Sequence, residues 1–342
     1  MPPNIPLISI IITCFNYELY IRECIESAMQ QDYPNLEIIV VDDGSSDRSW
    51  DIIQEYRDHV TCVRQKNRGA LRSSLTGFSL SNGDFVHFLD ADDLLEFGAL
   101  QQVAPYLQPD VSKVQFMLSP IDKEGKVIGD PFPKLAHSKE SGPLIHSINQ
   151  RGYYNTPPTS GNIYRRDIYE NLGDLSYERA IDGVPYLLAP FVGKVVSLDL
   201  PLGKYRIHNA NLSSFSTLTS ERLNGYMDRF LARLRHLSQL IDERGLKGKI
   251  RLRQDYAYVR EMMILSTVAS GKRPSFPLLT SYVSAVRREH GSILRTCISL
   301  VFALGLFVLP DVGRRQLASF RLDPSRLWRL RSRLKNAVSV GT

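Results

Sequence analysis

The chain has 342 residues, 43% of them hydrophobic and 23% charged. That supplies one large core or two modest ones and excludes a disordered, collagen-like or disulfide-scaffold protein. The net charge of +6 averages two unlike parts: residues 1–210 hold 19 Lys+Arg against 27 Asp+Glu, and residues 211–342 hold 23 against 9. The two parts are therefore expected to face different partners.

The first apolar run, Leu7–Ile12, follows no basic stretch and is too short for a secretory signal, so it reads as a buried strand. Strand candidates Ile8–Thr13, Glu37–Asp42, Val60–Arg64 and Asp84–Leu89 alternate with helix candidates Glu18–Gln30, Asp47–Arg57 and Ala70–Leu80. Continuous apolar strands in a β-α-β order predict an α/β fold with a parallel, doubly wound sheet covered by helices on both faces. Residues 110–210, punctuated by Gly129-Asp130-Pro131 and Pro157-Pro158, read as further strands, a short helix near Ile181–Phe191 and loops covering a site. Ser220–Arg244, Gly248–Ser270 and Phe276–Glu289 have helical periodicity. Four cysteines (Cys14, Cys24, Cys62 and Cys297) show no CxxC spacing and read as structural thiols of a reducing compartment.

In an open parallel sheet, ligands bind beyond the carboxyl ends of the strands. The first strand ends in Thr13-Cys14-Phe15-Asn16, the second in Asp42-Asp43-Gly44-Ser45-Ser46-Asp47, and the fourth in Asp90-Ala91-Asp92-Asp93. Carboxylates gathered on one rim repel unless something cationic sits among them. A divalent ion held by one or two carboxylates together with substrate phosphates fits this pattern. No GxxxxGK[ST] loop, no GxGxxG after the first strand, no GxSxG elbow and no zinc-spaced His/Cys set is present.

These stretches carry a family resemblance. Ser9–Tyr17, Val40–Asp47, Asn67-Arg68-Gly69, Gly83–Asp93, Ser160–Arg166 and Tyr205–Ser213 together resemble the family 2 glycosyltransferases of the GT-A fold, over about residues 5–214. The resemblance implies an inverting enzyme that uses a nucleotide-diphosphate sugar, here expected to be a UDP-sugar, with Mg²⁺ or Mn²⁺ as cofactor. It implies that Thr13, Phe15 and Asp43 hold the base and that Arg68 contacts base or phosphate. Asp90 would reach the ribose and Asp92 the metal, with His208 as a second metal ligand and Arg206 as a diphosphate contact. The general base matches Asp182, although Ile181 stands where the family commonly has an acid; a helix cap is the other reading of Asp182, and Glu178 is the alternative base.

The last long apolar run, Cys297–Leu309, would make a helix of about 20 Å, short of the ~30 Å hydrocarbon core. Residues 312–342 carry eight Lys+Arg and one acid, and Leu322–Leu334 interleaves leucines and Trp328 with arginines. This pattern predicts an amphipathic helix at an anionic membrane surface, on an otherwise cytoplasmic protein at the inner face of the cytoplasmic membrane. The expected division is a catalytic domain over 1–214, a helical extension over 215–291 and a membrane-directed tail over 292–342. The expected acceptor is a glycan or lipid-linked sugar. A silent nucleotide-sugar-binding scaffold is the alternative; nucleic-acid binding is disfavoured because the basic excess lies outside the motif-bearing part.

Overall fold

The computed structural model describes residues 5–208 and 219–322. They form two compact units: residues 5–146, 154–208 and 236–249 in the first, and residues 147–153, 219–235 and 250–322 in the second. The strands are β1 (Ile8–Cys14), β2 (Leu36–Asp42), β3 (Thr61–Arg64), β4 (Phe85–Asp90), β5 (Leu94–Leu95), β6 (Val111–Ile121), β7 (Asn162–Arg165) and β8 (Lys194–Arg206). The first helices are α1 (Ile21–Met29), α2 (Ser49–Gln54), α3 (Ala70–Leu80), α4 (Ala99–Val103), α5 (Gly142–Arg151) and α6 (Gly183–Val192). Then follow α7 (Ser220–Glu243), α8 (Ala257–Ala269), α9 (Phe276–His290), α10 (Ile293–Val308) and α11 (Asp311–Leu322).

The eight strands make one sheet in the order β3-β2-β1-β4-β7-β6-β8-β5. β3, β2, β1 and β4 run parallel, as the alternating pattern predicts, whereas β7 is antiparallel to both β4 and β6. Ile8, Ile10, Ile11 and Ile12 are all fully buried because helices cover both faces of β1. α3 lies so close to the sheet that a Cβ on Gly77 would come 2.3 Å from Ile11 Cγ2, so only glycine fits there. Two helices start later than the periodicity suggests. Asp47 turns its carboxylate to the backbone N–H groups of Glu18 (3.1 Å) and Ser49 (2.9 Å), which holds Asp47 outside α2 and Glu18 outside α1.

In the second unit, α8–α11 pack around Ile264, Leu265, Tyr282, Phe302 and Leu306. α8 begins at Ala257 rather than Gly248, and its first N–H group donates to Glu289 Oε1 on α9 at 2.9 Å. Among the described residues, no helix is long and apolar enough to cross a membrane. The amphipathic helix expected over Leu322–Leu334 lies outside the described residues beyond its first position.

Candidate active site

Strand register gathers the acids. Cys14 pairs with Asp42 across β1–β2, and Thr13 pairs with Asp90 across β1–β4. The Thr13, Asp42–Asp43 and Asp90–Asp93 segments therefore leave the sheet side by side at one rim.

On the β2 side the two aspartates do different work. Asp42 is buried and accepts from the Ser45 N–H group and from Arg64 Nε at 3.1 Å, which shapes the turn. Asp43 accepts from the N–H groups of Arg68 (3.0 Å) and Gly69 (2.8 Å) and from Gln65 Nε2 (2.7 Å), so it anchors the start of α3. A carboxylate offers about four lone-pair directions, which leaves one for a ligand. Asn16 Oδ1 accepts from Ser46 N–H at 2.8 Å and its own N–H donates to Ser45 Oγ, joining the β1 loop to this turn. Phe15 stands 43% exposed beside it, and the Arg68 side chain is exposed.

On the β4 side the charge is crowded. Asp92 Oδ2 lies 2.9 Å from His208 Nε2, and the imidazole rests against the rings of Tyr20 (5.1 Å) and Tyr17 (6.0 Å). Burial first, then Asp92 and Asp182, push the Asp90 carboxyl up to about 8. Burial with Asp92 and Asp90 raises Asp93 well above the ordinary carboxylate range. Asp93 is fully buried, accepting from Ser160 Oγ at 2.6 Å and Arg206 N–H at 2.9 Å, so it is a brace between loops. The Ser160–Gly161 stretch carried no assigned role in the sequence reading; its hydroxyl also accepts from Asp90 N–H at 3.1 Å.

Arg206 is 1% exposed. Its guanidinium donates to Glu23 Oε2 (2.7 Å), the Asp92 carbonyl (2.9 Å) and the Asp122 and Lys123 carbonyls, and stacks over Tyr20 at 4.7 Å. The geometry thus gives it the work of holding the Asp92–Asp93 turn, where the motif suggested a diphosphate contact. Glu23 and Tyr20, both on the α1 side, had no sequence signal, because their partner lies more than 180 positions away.

Asp182 precedes α6 without making a side-chain cap bond, and its Oδ2 accepts from Thr159 Oγ1 at 3.2 Å. The carboxylate is thus not consumed by the helix end, as the capping role would require. Glu178 is buried with its carboxylate against Gly183, where a Cβ would meet it at 2.2 Å. The field of Asp182 reaches both Asp90 and Lys113, which places it on the same side of the molecule as the β4 acids.

Among the described residues no three His, Cys, Asp or Glu side chains converge as a ready-made metal cage. Asp92 and His208 supply two converging donors, which suits a hard or borderline cation completed by phosphate oxygens and water. A separate groove of about 1020 Å³ opens at the other edge of the sheet, lined by Tyr33, Asp84, Phe85, Gln108 and Arg165. It lies where β4 starts, away from the carboxylates at its end.

A mostly parallel α/β sheet with carboxylates gathered beyond the carboxyl ends of its strands has the form of a ligand-binding α/β enzyme. Residues 9–173 match the family described as Glycosyl transferase family 2. An uncharacterized glycosyltransferase of Nostoc sp. is 33% identical over 263 residues, covering 70% of this chain and 80% of the relative. The putative glycosyltransferase EpsH of Bacillus subtilis is 38% identical over 220 residues, covering 60% of this chain and 62% of its own. The protein belongs to the family 2 glycosyltransferases. Its fold is shared with the crystal structure of S. aureus TarS 1-349 in complex with UDP-GlcNAc, at a TM-score of 0.53 and 16% identity over 92% of this chain and 91% of that one.

Proposed function

We propose that the enzyme transfers a sugar from a nucleotide-diphosphate donor, expected to be a UDP-sugar, to an acceptor hydroxyl with inversion. The observation that supports this reading most is the meeting of the Asp90–Asp93 turn, His208 and an uncapped Asp182 on one rim. Thr13 and Phe15 would frame the base, Phe15 by stacking. The free lone pair of Asp43 would accept from a base N–H group, and Arg68 would swing onto base or phosphate. Asp90 would hold the ribose. Asp92 and His208 would hold Mg²⁺ or Mn²⁺. Bound there, such a cation neutralises charge on the departing diphosphate.

Asp182 would take the proton of the acceptor hydroxyl as its oxygen attacks the anomeric carbon. The bond from that carbon to the phosphate oxygen breaks, and its electron pair leaves with the diphosphate. Thr159 fixes one Asp182 oxygen and leaves the other to the acceptor. Arg206 and Asp93 act as positioning residues.

In this reading residues 1–214 are catalytic, 215–291 a helical extension and 292–342 a membrane-directed tail. The acceptor is a glycan or lipid-linked sugar in polysaccharide, lipopolysaccharide or glycolipid assembly, met at the inner face of the cytoplasmic membrane. The UDP-GlcNAc held by TarS supports the choice of donor class. The test is a panel of nucleotide sugars with Mn²⁺, scored for nucleoside diphosphate release. Release from one donor is expected, and its loss in Asp92→Asn. Undiminished turnover in Asp92→Asn, or in chelator, would overturn the metal assignment.

A further inference from the structure

From Cys297 to Val308 α10 is apolar apart from Ser299, yet among the described residues only one side of it is covered. Ser299, Phe302, Ala303 and Leu306 are buried in the core of the second unit, a spacing of three and four that marks one helical face. The opposite face carries Ile293, Leu294, Ile298, Val301, Leu304 and Val308. These are 50–82% exposed, and Ile293, Val308 and Val301 reach 82%, 73% and 69%. From Thr296 to Pro310 the sequence has no charged residue. Phe276 (62% exposed) extends the patch through its ring contact with Phe307 at 6.1 Å, and Val312 (69% exposed) follows on α11. A contiguous apolar surface of this kind marks an interaction site rather than ordinary scatter.

We infer that this face of α10 lies in the interfacial layer of an anionic lipid bilayer, parallel to its plane. Three observations choose lipid over a protein partner. First, sixteen residues rise about 24 Å along the helix axis, too little to cross a bilayer but ample to lie in its interface. Second, the flanks are basic. Lys272 and Arg273 precede Phe276, both are exposed, and among the described residues neither forms an ion pair. Residues 323–342 add five Lys+Arg against one acid. Third, a second copy docked face to face would bring a second Lys272–Arg273 pair to the patch, whereas a negative lipid surface attracts these cations.

The inference rests on the membrane-proximal reading above and deepens it, because α10 lies within the 292–342 segment which that reading directs to the membrane. There, the basic tail supplies attraction; here, the apolar α10 face supplies insertion.

The experiment uses the full chain with Cys62→Ala, so that Cys297, the exposed cysteine on α10, takes an environment-sensitive fluorophore. The label is read on vesicles of phosphatidylcholine with phosphatidylglycerol, with and without bromine on the acyl chains. Quenching by the brominated chains is expected. So is a fall of about a hundredfold or more in vesicle partitioning for Leu294→Gln/Val301→Gln/Val308→Gln, since each lost apolar group forfeits its burial. Nucleoside diphosphate release from the donor by the triple variant, with a soluble acceptor present, should stay at the parent level, which separates failure of this inference from failure of the proposed reaction.

Three results would overturn it. Partitioning could survive the triple substitution but vanish in Arg326→Gln/Arg329→Gln/Arg331→Gln/Arg333→Gln, which would make the tail the sole contact. A concentration-dependent dimer that the triple variant dissociates, without vesicle binding, would assign the face to a second copy. A label already shielded without lipid, in monomeric protein, would mean that the chain covers its own face.

Discussion

Lys113 offers a quantitative test of the sheet's interior. It sits on β6 at 0% exposure, with Nζ within hydrogen-bond distance of Gln115 Oε1 (2.9 Å), Thr156 Oγ1 (2.7 Å) and Tyr154 Oη (3.2 Å). The rings of Tyr154, Tyr164 and Tyr186 surround it at 5.1, 5.3 and 6.0 Å. Among the described residues no carboxylate lies within ion-pair distance of its Nζ, and Asp182 supplies the one opposing field that favours the charged form. Burial therefore pushes the ammonium well below the usual lysine range.

The folded protein then holds a neutral amine at pH values where the unfolded chain holds a proton. Unfolding takes up that proton, so stability rises with pH by about 1.4 kcal/mol per unit, from the depressed folded value up to an unfolded value of about 10.4. Lys113→Met keeps the volume and removes the titration. It also strips Gln115 Oε1 of a donor, at a pH-independent cost of about 1 kcal/mol. The variant's stability relative to the parent should thus fall as pH rises toward the unfolded value of about 10.4, with a slope of at most about 1.4 kcal/mol per unit. Urea unfolding followed by Trp50, in a Trp328→Phe background that removes the other of the two tryptophans, reads the first unit. Parallel pH dependences of parent and variant would show that Lys113 stays charged when folded, and the reasoning would fail.

Other outcomes follow from the site and the core. Asp182→Asn should lower kcat by about 10²–10⁴-fold with little change in the KM for donor, measured by steady-state diphosphate release. His208→Ala should weaken Mn²⁺-dependent UDP binding by about 10–100-fold, seen by calorimetry, and leave any metal-free binding unchanged. Gly77→Ala drives a methyl into Ile11 at 2.3 Å. The overpacking cost of about 1–3 kcal/mol should exceed the helix-propensity gain of at most about 1 kcal/mol, so the unfolding midpoint should drop.

The first sheet half was legible because its residues obey local rules. β1, β2 and β4 each fall within one residue of the expected bounds, and α3 matches at Ala70–Leu80. Buried parallel strands must be apolar throughout, and that shows in any window. Residues 110–210 gave no such signal. β6 is buried along its whole length yet contains Ser112, Lys113, Gln115 and Ser119, so hydrophobicity alone could not mark it. The polar groups of Ser112, Lys113 and Gln115 are satisfied by Tyr154, Thr156, Ala189 and Ser197, which lie 41 to 82 positions along the chain. A window of ten residues cannot see partners at that distance.

Arg206 shows the same boundary inside the site. An arginine two residues before a histidine, in a stretch whose family resemblance implies a phosphate contact, has the chemistry of an anion ligand. What redirects it is Glu23, in the first turn of α1, together with the Asp92 carbonyl and the face of Tyr20. Each is positioned by the sheet rather than by the motif. The consequence is mechanistic. Arg206 also ties its own N–H group to Asp93, which in turn takes the Ser160 hydroxyl, and Ser160 accepts from Asp90 N–H. The β4 turn is therefore braced from β8 on one side and from the Thr159–Gly161 loop on the other. That loop also carries Thr159, the donor to Asp182. The residue proposed as base and the residues proposed as donor ligands are thus held by one loop, so a shift that loosens Ser160 should disturb both ends of the reaction.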